Sequence, residues 1–122
     1  MAALVKNHTI EQGATWVYEF ELHAEAVDGP LIDLTGWHAD MQVRQAIEAA
    51  AVEIELSTDN GRITITPAAG QVRLALSASE TATLNFETAV YDLELVGPTG
   101  FVLRLYKGEI TLDKESTRKV RP

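Results

Sequence analysis

Residues 90–113, VYDLELVGPTGFVLRLYKGEITLD, read as two strands around a tight return. Tyr91, Leu93 and Leu95 share one parity, Asp92 and Glu94 the other, and GPTG at 97–100 supplies the turn. Past the turn the parity changes, because Phe101, Leu103 and Leu105 set one register while Ile110 and Leu112 set the opposite one. One extra residue inverts side-chain direction, so the spacing predicts a bulge or bend at Lys107–Gly108.

The same period of two runs outward through the chain. In TWVYEFEL, Trp16, Tyr18, Phe20 and Leu22 alternate with Val17, Glu19 and Glu21. WHADMQVR places Trp37, Ala39, Met41 and Val43 inward and His38, Asp40, Gln42 and Arg44 outward, and VEIEL sets Val52, Ile54 and Leu56 against Glu53 and Glu55. Asn60 and Gly61 of the DNG turn tolerate positive φ, which predicts a type I′ hairpin pairing VEIELS with RITIT. PAAG at 67–70 breaks the next connection, and QVRLAL follows as a strand with Val72, Leu74 and Leu76 inward. In SASETATLNF, Ser77 and Glu80 are spaced as a capping box, with Ser79 the alternative cap, so one helical turn is expected there, closed onto the core by Leu84. QAIEAAA at 45–51 has helix propensity but is short, and a loop or strand extension is the preferred reading. About eight short strands without crossover helices predict an all-β, antiparallel two-sheet sandwich of immunoglobulin-like type, residues 1–122 forming a single domain. A closed small barrel is the alternative.

Composition bounds the function. The chain has 122 residues, 46% hydrophobic and 23% charged, with a formal net charge of −8 and no cysteine. Disulfides, thiolate zinc sites and cysteine nucleophiles are excluded, and an acidic body opposes a broad nucleic-acid surface. No apolar run approaches the roughly 20 residues of a membrane span, and MAALVKNHTIEQG lacks the apolar stretch of a signal peptide, so synthesis without export is expected. Charge is uneven. The short basic tail KESTRKVRP at 114–122 carries four basic residues and one acidic, a net of +3, leaving −11 for residues 1–113. Arg118, Lys119 and Arg121 are therefore the candidate interface residues, suited to docking on another acidic subunit. Residues 1–10 and 113–122 are read as terminal arms.

Candidate chemistry is sparse. His8, His23 and His38 occur singly, and the one metal arrangement to weigh is His23 with His38 on neighbouring strands and Asp40 as third ligand. The carboxylate pairs Glu19 and Glu21, Glu53 and Glu55, and Asp92 and Glu94 follow from strand alternation alone. In DLTG at 33–36, Asp33 caps a turn that Gly36 permits, DNG lacks the other ligands of a calcium loop, and no glycine loop precedes a helix as a phosphate cradle would require. Ser77, Ser79 and Thr81 lack a nucleophile setting. Trp16 and Trp37, read as inward on adjacent strands, serve the core, whereas an exposed pair would indicate sugar stacking. No catalytic residue, metal or cofactor is assigned.

The order of VKNHTIEQGATWVYEFEL, IDLTGWHADMQVR, TDNGRITI, VRLALSASETATL, VYDLELV and GFVLRLYKGEITLDKESTR adds information. Together these segments, spanning residues 4–118, resemble small β-sandwich proteins encoded among bacteriophage and prophage tail genes. More loosely, DLTGWHADMQVR followed by NGRITI and a late hairpin is similar to the amino-terminal domain of phage baseplate upper proteins. The resemblance implies a non-catalytic virion structural or adaptor role, with other tail or baseplate proteins as partners and a homo-oligomer compatible with it. It also implies residence in the virion after synthesis in the bacterial cytoplasm, while the acidic balance and the lack of a long apolar run are what oppose nucleic-acid binding and membrane insertion. The chain stops at Pro122 without a downstream fibre region, which suits a small accessory or connector better than a host-recognition protein. A carbohydrate- or peptide-binding module is the alternative function.

Overall fold

The computed structural model describes residues 3–23 and 31–118. Nine strands are present among them: β1 (Leu4–Val5), β2 (His8–Glu11), β3 (Trp16–Glu21), β4 (His38–Arg44), β5 (Ile54–Ser57), β6 (Ile63–Thr66), β7 (Gln71–Leu76), β8 (Thr88–Val96) and β9 (Val102–Asp113). One helical turn, α1 (Ala78–Ala82), connects β7 to β8. A six-stranded sheet has the order β1-β9-β8-β4-β5, with β2 also paired to β9, and a three-stranded sheet has the order β3-β7-β6. The architecture is all-β, mostly antiparallel and sandwich-like. Its two sheets bury Met41, Leu93, Leu95 and Ile110 from one side and Val72, Leu74 and Leu76 from the other in one core.

Several local readings hold. β8 and β9 form the hairpin, with Tyr91, Leu93 and Leu95 buried. Ala39, Met41 and Val43 of β4 are buried, as are Leu56 of β5 and Leu84 after α1. Ser77 accepts a hydrogen bond from the Glu80 amide at 3.1 Å and its own amide donates to the Glu80 carboxylate at 2.8 Å, completing the capping box. Residues 45–51 form a loop between β4 and β5, and Asp33 Oδ1 accepts from the Thr35 amide at 2.9 Å beside Gly36 at φ 82°.

Pairing and placement bring the corrections. VEIELS and RITIT do not pair: β5 joins β4 in the six-stranded sheet and β6 joins β7 in the other, so the DNG turn carries the chain between layers. Asn60 makes this crossing feasible. Its Oδ1 accepts from the Ser57 and Arg62 amides, each at 3.0 Å, and its Nδ2 donates to the Glu55 carbonyl at 2.9 Å. The side chain thus supplies the bonds that a hairpin ladder would have made.

The parity change in β9 is real but lies at Leu105. Leu93 faces Tyr106 and Glu94 faces Arg104, leaving Leu105 as the extra residue. Bulging there lets Leu103 and Tyr106 both pack against the core, while Phe101 precedes the strand and is exposed. Gly108 has a different task. A Cβ there would lie 2.3 Å from the Lys6 carbonyl oxygen, so glycine admits the first strands alongside the last.

Residues 4–11 are accordingly not a free arm. β1 and β2 run parallel to β9, pairing Leu4 with Tyr106 and His8 with Ile110. The two tryptophans are not on adjacent strands, since β3 and β4 belong to different sheets, and both are half-buried. Val52 precedes β5 and is exposed.

Candidate functional site

The outer face of the six-stranded sheet is not a uniformly solvated surface. Register places Val5, Lys107, Asp92, Gln42 and Glu55 side by side across β1, β9, β8, β4 and β5. The next row holds Glu109, Val90 and Arg44. Around these rows lies a trough of about 680 Å³, within the size range of ligand sites.

Both of its sides are held by backbone contacts. On one, Arg44 donates through Nη1 to the carbonyls of Ala49 and Ala50 at 2.7 and 3.0 Å, and through Nη2 to Gln42 Oε1 at 2.7 Å. The guanidinium thereby pins the 45–51 loop and presents Ile47 at the rim, 80% exposed. On the other, the Lys6 amide donates to the Lys107 carbonyl at 2.8 Å and Asn7 Oδ1 accepts from the Glu109 amide at 2.9 Å. Tyr91 also donates its hydroxyl to the Lys6 carbonyl, and burial, with Tyr18 and Tyr106 nearby, raises its pKa above the usual phenol value.

The lining mixes apolar Val5, Ile47 and Val90 with the cations Arg44, Arg104 and Lys107 and the anions Asp92 and Glu109. It is therefore locally cationic by one charge on a chain of net −8. Arg104 Nε lies 3.7 Å from Asp92 Oδ2, a loose and exposed pair that leaves the guanidinium able to meet a ligand. The arrangement sets apolar side chains beside charges of both signs on one open face. Among the described residues no group of three or more His, Asp or Glu could hold a metal ion. His23 lies beyond the end of β3 in an isolated bridge to Leu31, and His38 starts β4, which pairs with β8 and β5, so the two histidines are not on paired strands.

A second feature is an aromatic seam where β3 lies against β2 and β9. His8 meets Trp16 and Tyr18 edge-on, with centroids 5.4 and 4.7 Å away, and Phe20 meets Tyr106 at 5.1 Å and 89°. Burial, then the charge of Lys6, lowers the pKa of His8 and favours its neutral ring. Trp37 is edge-on to Phe101 at 6.3 Å. The tryptophans thus have separate ring partners and form no exposed stacking pair.

Arg118 is exposed outside any strand, whereas Lys119 and Arg121 lie outside the described residues. The trough escaped the sequence reading, although Val5, Ile47 and Val90 carried a signal: they are apolar residues where the pattern calls for solvent-facing ones. No protein-family model matches the chain, and no curated protein matches it.

Proposed function

We propose that the chain is a non-catalytic assembly module of a phage or prophage tail or baseplate, which binds a neighbouring virion protein in the trough on its six-stranded sheet. The observation that carries this reading is the trough itself. Apolar Val5, Ile47 and Val90 are interspersed with Arg104 and Lys107 on a face that an isolated sheet would cover with polar groups. The phage assignment comes from the motif order, including DLTGWHADMQVR and NGRITI. An immunoglobulin-like topology is part of the proposal: β9-β8-β4-β5 opposite β3-β7-β6 corresponds to that fold's G-F-C-C′ and B-E-D sheets.

The partner contact is read as a loop or strand carrying a carboxylate toward Arg104 and Lys107, with aliphatic groups against Val5 and Val90. Cross-linking from Lys107 in assembled particles is the direct test. A tail or baseplate neighbour should be captured by the native chain and lost in Ile47→Asp with Arg104→Glu, both changes being at solvent-facing positions that leave the Lys107 amine in place. Particles that retain the chain but give the same cross-links with the variant would refute the trough as the contact. The concavity also favours a second reading, a peptide- or glycan-binding module, for which a small ligand alone would saturate the trough.

A further inference from the structure

We infer that the open edge of β3 is an acceptor for the basic segment 114–122 of a second copy of the chain, joined by backbone pairing. This deepens the assembly reading above by naming a second contact and its partner. Three observations support it.

First, one side of β3 is unpaired among the described residues. Among them the strand pairs only with β7. The Leu22 amide donates to the Gly70 carbonyl at 2.9 Å, in register with the β3–β7 ladder. By the alternation of antiparallel bonds, Trp16, Tyr18 and Phe20 exchange bonds with β7, while the N–H and C=O groups of Val17, Glu19 and Glu21 point outward from the sheet edge.

Second, this edge is guarded only by its acidic side chains. β5 and β6 have four residues each, and the Glu55 carbonyl of β5 is occupied by Asn60 Nδ2 at 2.9 Å and Arg62 Nη1 at 2.8 Å. β3 has six residues, with no proline, bulge or inward charge; of the devices by which edge strands avoid added partners it carries only the charges of Glu19 and Glu21.

Third, charge selects the occupant. A second copy of β3 laid along this edge would bring Glu19 and Glu21 against Glu19 and Glu21, like charges that oppose pairing. Arg73 lies 3.7 Å from Glu19 and offsets one of the two charges, leaving the row at −1. Residues 114–122 carry +3. Within one chain, the described residues 114–118 are in no strand and have no ladder pairing with β3. Each copy would offer one donor and one acceptor, a heterologous arrangement that closes into a ring or extends as a filament.

The test uses the full chain and a fluorescent peptide of residues 113–122 as probe. Peptide affinity should fall at least tenfold in Val17→Pro, which removes an outward N–H, and in the Glu19→Lys, Glu21→Lys double variant. A peptide with Arg118, Lys119 and Arg121 changed to Glu should bind the double variant and not the native chain. The native chain should gain mass with concentration in sedimentation, with an intermolecular cross-link from Glu19 to Lys119. If Val17→Pro does not fold, the double variant, altered only at exposed side chains, carries the test.

Equal peptide binding by native and double-variant chains overturns the assignment. So does a monomer at all concentrations, with or without an intramolecular cross-link. Trough and edge are separable: Ile47→Asp with Arg104→Glu should leave peptide affinity unchanged. Loss of particle contacts in that variant with intact peptide binding supports both sites, whereas intact particle contacts refute the trough alone.

Discussion

Thr81 is fully buried and polar, yet its hydroxyl is satisfied. It accepts from the Gly13 amide at 3.0 Å and donates to the Ala14 carbonyl at 2.9 Å, tying α1 to the connection between β2 and β3. Thr81→Val keeps the volume and strands both backbone groups, so a loss of about 1–3 kcal/mol is expected from urea unfolding, with an unchanged slope. Gly108→Ala tests a different constraint. Its methyl would strike the Lys6 carbonyl at 2.3 Å and Asn7 Oδ1 at 2.7 Å, so β1 must shift outward. We expect a cost of about 1–3 kcal/mol, with hydrogen exchange of the Lys6 amide accelerated before that of the core strands. Neither role shows in residue type, because serine, threonine and glycine are also the ordinary residues of turns.

At the scale of elements, the seam between β2 and β3 makes stability depend on pH. His8 is half-buried against Trp16, Tyr18 and Tyr91, and its pKa lies below the ordinary 6.5. Folding therefore favours the neutral ring. Its contribution is complete above pH 6.5 and is lost as pH falls through the lower folded-state value, because the unfolded chain takes up the proton first. The urea midpoint should decline below pH 6.5, and His8→Phe should remove that part of the decline. A second loss occurs further into acid. The Ser77 amide chiefly, then Arg62, holds the Glu80 carboxyl below its usual 4.5 against the opposing effect of burial, so its contribution is present above pH 4.5 and lost as pH falls through the folded value. Glu80→Gln should flatten only this more acidic phase. The capping box behind it was legible in the sequence, since its two partners are three residues apart. The seam was not, since it joins residues on three strands.

For the whole molecule, the decisive contacts are long-range. β1 and β2 close alongside β9, and β3 must find β7, its paired residues lying 50 to 60 positions apart in the chain. Such pairing requires costly loop closure before contacts reward it, so folding should occur in about milliseconds to seconds rather than microseconds, as stopped-flow tryptophan fluorescence would show. The DNG crossing gives a further prediction. Asn60→Ala removes three backbone contacts from the link between sheets and should cost about 1–2 kcal/mol, lowering the stability of both sheets together in a single transition.

Local sequence pattern alone established that Met41, Leu93 and Val72 face a core, that a serine at 77 or 79 caps a turn and that residues 97–100 return the chain, because each depends on neighbours a few positions away. It also required a parity change in β9. Only the tertiary structure decided that DNG crosses between layers, that the bulge falls at Leu105 and that the first strands lie parallel to the last. The reason is physical: period two specifies which face of a strand is apolar, while its edges present the same backbone N–H and C=O groups whatever the side chains. Partner choice thus rests on packing of the assembled layers, and so do the trough and the unpaired edge of β3.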